Sequence, residues 1–138
     1  MKEYVAGFLF STDRSQVVLV CKNKPAWQAG KLNGVGGKIE SSELARIAMR
    51  REFLEEAGAD VPETDWHPFC KIFVGEDVIV HFFRAFKDKV VDTMTDELVR
   101  WYNVHELRGY DKIPNLDWLI PLALDPYARY AAVCETVR

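Results

Sequence analysis

Three carboxylates, Glu52, Glu55 and Glu56, stand at positions i, i+3 and i+4. On a helix of 3.6 residues per turn they share one face. Glu52 and Glu56 are then like charges one turn apart, an arrangement that costs an exposed helix roughly 0.2–0.5 kcal/mol. Arg46 and Arg50 repeat the same unfavourable spacing. A helix shaped only for a solvated surface would interleave the signs. Oxygen donors crowded on one face suit a hard divalent cation, since Mg2+ keeps several waters and needs only two or three carboxylates plus a carbonyl. From the three glutamates alone, an ordinary Glu-rich surface remains the alternative. Just upstream lie Gly30, Gly34, Gly36 and Gly37. Backbone of that composition either turns through positive φ or passes close to another group.

Positioning such a face requires a helix after the glycine-rich stretch. Glu43 to Ala57 reads as that helix, with Ser41 or Ser42 as its N-cap and Gly58 as the residue that ends it. Asn23 to Gly37 reads as a loop. Tyr4–Phe10 and Val17–Val20 read as strands around a turn at Ser11–Ser15. Trp66–Val74 and Val78–Phe86 read as a hairpin turning at Gly75-Glu76-Asp77, and Leu98–Val104 as a further strand. The stretch from Asn115 to Ala132 reads as helix interrupted by Pro121 and Pro126. This order predicts a mixed sheet with helices packed on it.

The wider pattern is Gly37, five residues, Glu43, seven residues, then Arg51-Glu52-Phe53-Leu54-Glu55-Glu56-Ala57-Gly58-Ala59. It resembles the signature of the Nudix hydrolases, the MutT-like enzymes, G-x5-E-x7-R-E-U-x-E-E-x-G-U with U a bulky aliphatic residue. Every fixed position matches. Phe53 and Ala59 depart at apolar positions, and Ser42 replaces a glycine that often precedes the first glutamate. Outside the box, Gly30–Lys38, Thr95-Asp96-Glu97 with Trp101, and Ile113-Pro114-Asn115 with Pro121 are similar to members that hydrolyse oxidised purine nucleoside triphosphates. The resemblance implies the Nudix fold: α/β in the α+β sense, a mixed β-sheet sandwiched between α-helices, as one domain over residues 1–138.

The implied chemistry is attack of water on phosphorus in a diphosphate linkage, with Mg2+ or Mn2+ as cofactor. By resemblance, Glu52, Glu56 and the Gly36 carbonyl ligate metal. Glu55 ligates through water or a second metal and helps activate the attacking water, and Arg51 orients the glutamates. Glu43 pairs with an arginine. Glu97 contacts metal or serves as base; the alternative is a solvated strand edge. Lys22, Lys24 and Lys38 are candidates for phosphate contact, set against ordinary surface lysines. Trp27 either covers the base or is an exposed loop side chain, whereas Trp118 and Leu119 are expected in the core. Asn33 and Asn115 either read the edge of the base, each offering a donor and an acceptor, or cap their loops locally.

The expected reaction takes a nucleoside triphosphate, 8-oxo-dGTP or another purine deoxynucleotide, to the monophosphate and pyrophosphate. One alternative is hydrolysis of another nucleoside diphosphate conjugate such as ADP-ribose or a nucleotide sugar. Against it, Val74 stands where the ADP-ribose type carries a proline, about fifteen residues past the box. A non-catalytic nucleotide sensor is a second alternative, disfavoured because no box glutamate is lost.

The 138 residues carry 18 Lys and Arg against 21 Asp and Glu, a net charge of −3. That excludes a broad basic face for nucleic-acid polymers but not a small anion, whose charge a bound cation can offset. Cys21, Cys70 and Cys134 are odd in number and far apart, so neither a disulfide framework nor a zinc site is expected. His67, His81 and His105 also lack ligand spacing. No apolar run nears the ~18 residues of a membrane span, and the start shows no signal peptide. A cytoplasmic monomer or homodimer acting on a small nucleotide is the expectation.

Overall fold

Strand β1 (Lys2–Phe10) is buried from Val5 onward and is paired along both edges. The structure, a computed structural model, describes residues 1–136; the last two residues of the expected 1–138 domain lie outside it. Along one edge β1 runs parallel to β6 (Val78–Phe86), from Lys2 opposite Val78 to Phe10 opposite Phe86. Along the other it is antiparallel to β4 (Val35–Lys38) through residues 4–7, and meets β2 (Gln16–Cys21) at Phe10 and Val17. β2 carries β3 (Leu32–Asn33) and β7 (Val99–Asn103). β5 (His67–Val74) forms the expected hairpin with β6, turning at Gly75 with φ of 61°. β8 (Ala131–Glu135) lies parallel to β5 at the end of the strand order. The result is one mixed sheet of eight strands.

Side chains alternate across the sheet, so β1 feeds two cores. Ala6, Phe8 and Phe10 point to the side where α2 (Leu116–Leu124) packs through Leu116, Leu119, Ile120 and Ala123. Val5 and Leu9 point to the side where α1 (Ala45–Ala57) packs through Ala48, Met49, Phe53 and Ala57. Met49, Phe53 and Ala57 recur every four residues, which lays them along one helix stripe. Phe53, the departure from an aliphatic residue, is fully buried with its ring 5.3 Å from that of Trp66. With a helix on each face, the sheet is sandwiched as the resemblance implied.

Three expectations need correction. The central helix begins at Ala45, and neither Ser41 nor Ser42 caps it. Leu44 is the extended residue at its entrance, Ser42 has φ of 66°, and the Glu43 carboxylate turns back onto the Glu40 N–H at 3.0 Å. Residues 23–37 are not all loop, since β3 and the start of β4 lie within them. The late helix runs through Pro121 but stops at Leu124, and residues 131–135 form β8 instead. Pro126 and the Asp125 side chain, which accepts the Tyr127 N–H at 2.9 Å, turn the chain there.

Gly36 lies hard against the backbone of β1. A Cβ placed there would collide with the carbonyl oxygen of Val5 on the neighbouring strand. Gly36→Ala is therefore expected to lower unfolding stability by about 3 kcal/mol through overpacking against backbone that cannot yield. Urea unfolding measures this, and an unchanged midpoint would contradict the close approach.

Candidate active site

Arg51 organises the entrance to the acidic face. Its Nε and Nη2 donate to the two oxygens of Glu43, each at 2.8 Å. Nη1 donates to Glu52 Oε1 at 2.9 Å and, more loosely, to Glu55 Oε2 at 3.4 Å. Nη2 also donates to the Lys38 carbonyl at 3.1 Å. The forked contact is the strong bidentate kind. The Arg51 hydrogen bonds hold the Glu43 carboxyl at about 2, against the opposing effect of burial. The guanidinium pKa is raised in turn, first by Glu43 and then by Glu52 despite burial. Eight residues separate Glu43 from Arg51, so this pair ties the loop before α1 to the middle of the helix.

Glu56 has the opposite environment. The residue is half-buried, and its Oε2 is buried with no hydrogen-bond partner. Burial, then the neighbouring Glu52 carboxylate, pushes its carboxyl up to about 8, with the Lys22 ammonium pulling the other way. Glu52 reaches toward Gly37, where a Cβ would stand 2.5 Å from its carboxylate. The glycine is the space that carboxylate occupies.

Glu97 is buried, at 6% exposure, which removes the solvated-edge alternative. Its Oε1 accepts from Lys22 Nζ at 3.0 Å and its Oε2 from the Asn23 N–H at 2.6 Å. Burial raises its pKa, but the Asn23 N–H and Lys22 outweigh that and hold it below the usual range. Lys22 thus touches Glu97 while its charge acts on Glu56. Lys24 and Lys38 are exposed, and Glu55 is the most exposed of the box glutamates.

Beside this face opens a cavity of about 480 Å³ lined in part by Lys22, Trp27, Gln28, Asn33, Gly36 and Asn115. Asn33 Oδ1 accepts from the Gly34 N–H at 2.8 Å, and its Nδ2 donates to Gln28 Oε1 at 3.1 Å. Asn115 precedes α2 without capping it, and its buried Oδ1 has no partner. Local capping therefore describes one contact of Asn33 and none of Asn115 Oδ1. Gln28 was not legible as a site residue, because nothing in its neighbours marks it; only its bond to Asn33 does. Trp27 is exposed at 42% yet lines the cavity, and Leu119 is buried, but Trp118 is 37% exposed rather than a core residue.

Among the described residues, no three His, Cys, Asp or Glu side chains converge as a formed metal cluster. Arg51 explains this in part, since it draws Glu52 and Glu55 toward itself. The donor set nevertheless fits a hard cation. A buried, unpartnered carboxylate oxygen on Glu56 beside a second carboxylate is a site that a cation would satisfy.

Residues 1–120 match the family described as NUDIX domain. The zebrafish protein named oxidized purine nucleoside triphosphate hydrolase is 37% identical over 103 residues, covering 70% of this chain and 61% of the fish protein. The mouse protein of the same name is 31% identical over 115 residues, covering 79% of this chain and 72% of its own length. A solved MutT structure from work on Aliivibrio salmonicida and Vibrio cholerae superposes with a TM-score of 0.74 at 24% identity, over 88% of this chain and 96% of that one.

The raised pKa of Glu56 fixes the sign of a pH dependence. Between its ordinary value of 4.5 and about 8 the folded carboxyl keeps a proton that the unfolded chain has released. Metal-free protein therefore loses stability as pH rises through that window and levels off above it. Thermal melts from pH 5 to 9 are expected to show this decline and to show it flattened in Glu56→Gln. Parallel curves for the two proteins would contradict the buried acid.

Proposed function

The chain belongs to the Nudix family, and from that premise we propose that it hydrolyses a purine nucleoside triphosphate to the monophosphate and pyrophosphate. An oxidised purine such as 8-oxo-dGTP is the substrate we favour, and Mg2+ or Mn2+ the cation. The names of the zebrafish and mouse relatives support the substrate class. The observation that carries the reading is the junction at Gly36 and Gly37. There an acidic face with a buried, unpartnered carboxylate oxygen adjoins a cavity bearing amide side chains.

Glu52, Glu56 and the Gly36 carbonyl are the groups that would hold the cation, with Glu55 beside them. A cation bound there supplies Lewis-acid stabilisation of phosphoryl charge and lowers the pKa of water. The chain's own residues do the rest. Arg51 fixes the rotamers of Glu52 and Glu55. Glu55, reachable by water, takes the proton from the attacking molecule. Lys22 offers its ammonium to the phosphates, with Lys24 and Lys38 as outer solvent-facing candidates. Glu97 holds Lys22 and the chain at Asn23, and so stays charged beside the reaction. Asn115 Oδ1 accepts a hydrogen from the base, and the free hydrogen of Asn33 Nδ2 serves an acceptor on it. A base presenting the wrong edge leaves those buried groups unpaired, at roughly 1–3 kcal/mol each.

Two outcomes are expected. Glu56→Gln folds but loses roughly 10³-fold in kcat, about 4 kcal/mol of transition-state stabilisation. Assays of pyrophosphate release on a panel of nucleoside triphosphates and ADP-ribose test this, and full turnover by a folded Glu56→Gln would overturn it. Asn33→Ala and Asn115→Ala change the ratio of kcat/KM between purine and pyrimidine triphosphates by tenfold or more. An unaltered ratio accompanied only by a lower Tm would make both residues loop supports.

A further inference from the structure

Glu97 stands in the middle of a strap whose two ends are fixed by different parts of the fold. An α-helix leaves its last carbonyls without partners of its own. On α1 two of them, those of Glu56 and Ala57, accept from the N–H groups of Met94 at 3.3 Å and Asp92 at 2.8 Å. The strap is therefore bound to the residue whose side chain carries the unpartnered carboxylate oxygen. Its other end is β7. There the Leu98 carbonyl accepts from the Cys21 N–H at 2.8 Å and so faces β2. Successive residues of a strand turn their backbone groups to opposite sides, which points those of Val99 away from β2. Among the described residues β7 pairs with β2 alone. The Thr93 hydroxyl takes the place of a second neighbour: it accepts from the Val99 N–H at 2.9 Å and donates to the Val99 carbonyl at 3.2 Å. Val99 is buried, so water is no substitute for that hydroxyl.

We propose that Thr93 is a positioning residue for the hydrolysis: its hydroxyl closes the loop of residues 93–99, and the closed loop sets Glu97, and with it the Lys22 ammonium, against the glutamates of α1. The rate effect rests on the triphosphatase reading and deepens it. One hydroxyl that both donates and accepts holds the two ends of the loop at a single separation. Inside the loop the Thr95 hydroxyl accepts from the Glu97 N–H at 3.1 Å, which turns the Glu97 backbone. The end of β2 meets the loop from outside. Lys22 Nζ and the Asn23 N–H donate to the Glu97 carboxylate, and Asn23 Nδ2 donates to the Asp96 carbonyl at 2.8 Å. Those contacts catch the carboxylate where the loop presents it; the Thr93 hydroxyl decides where that is. The Thr93 hydroxyl bonds to Val99 and to none of the box glutamates among the contacts described, so it acts through Glu97. A displacement of about 1 Å in a charged group near the reaction costs on the order of 10²-fold in rate, even when its cause lies outside the chemistry.

The test removes the hydroxyl and then restores it. Thr93→Val keeps the shape of the side chain without the hydroxyl, and Thr93→Ser keeps the hydroxyl. Folded Thr93→Val is expected to lose tenfold or more in kcat/KM for a purine triphosphate, and Thr93→Ser to stay within twofold of the unaltered protein. In a Glu97→Gln background, Thr93→Val is expected to cost less than twofold, because the charge it misplaces is gone. Amide exchange supplies a readout apart from turnover. The Asn23 N–H, bonded to Glu97, is expected to exchange at least tenfold faster in Thr93→Val and at the unaltered rate in Thr93→Ser, measured against β1 amides that report global opening. Thermal melts confirm that the variants fold, and Thr93→Ala takes the place of Thr93→Val if the latter does not. Undiminished kcat/KM in folded Thr93→Val, no rescue by serine, or an equal loss in both backgrounds overturns the positioning role and leaves the triphosphatase reading standing. Unaltered protein inert toward every nucleoside triphosphate overturns that reading instead. The Asn23 exchange then decides whether Thr93 positions Glu97: a tenfold rise confined to Thr93→Val supports it, and an unchanged rate overturns it.

Discussion

A carboxylate buried with one oxygen unpaired is costly, and the Glu56 side chain is placed that way by its helix. It lies one turn from Glu52, near Glu97, and within the field of the Lys22 ammonium. Left to itself the protein meets this cost by keeping Glu56 protonated near neutral pH. The surrounding charges are arranged around that constraint. Arg51 balances Glu43 and Glu52, Lys22 balances Glu97, and neither arginine nor lysine forms a direct bond to Glu56 among the contacts described. The Glu56 carboxyl, once it gives up that proton, has no direct counter-charge, and there a cation contributes most.

The second constraint is passage between the two faces of the sheet. α1 and its glutamates pack on one face, and the cavity lies on the other. A phosphate chain joining them has to run past β4, where Gly36 and Gly37 give the closest approach. Gly36 lets the strand press against β1, and Gly37 leaves room for the Glu52 carboxylate. The two glycines do different work. One is fixed by backbone, the other by a side chain that can shift, so they differ in how severely a methyl group would be felt.

Much of this was legible in the residues and some was not. Glu52, Glu55 and Glu56 were readable as one face because helical spacing is periodic, and Gly58 as the helix end because a left-handed residue is needed there; it has φ of 71° and donates to the Leu54 carbonyl. The helix start was misread at Ser41 and Ser42, since the Glu43–Arg51 pair overrides the local preference for a serine cap. The final strand was misread as helix. Its short run, Ala131-Ala132-Val133, has no strong period, and only pairing with β5 makes it extended. Val74 was weighed as a missing proline, whereas the structure makes it part of the cavity floor. The burial of Glu97 and the pairing of Lys22 with it are contacts 75 residues apart, which no local pattern encodes.

The central claim is that Glu56, with Glu52, is a seat for a divalent cation and gives up its proton on filling. Calorimetric titration of Mn2+ into metal-free protein at pH 7, repeated in buffers of different ionisation enthalpy, measures both events at once. The account predicts saturable binding with release of about one proton per protein, and loss of both in folded Glu56→Gln. Binding without proton release, or binding that Glu56→Gln leaves unchanged, would contradict it.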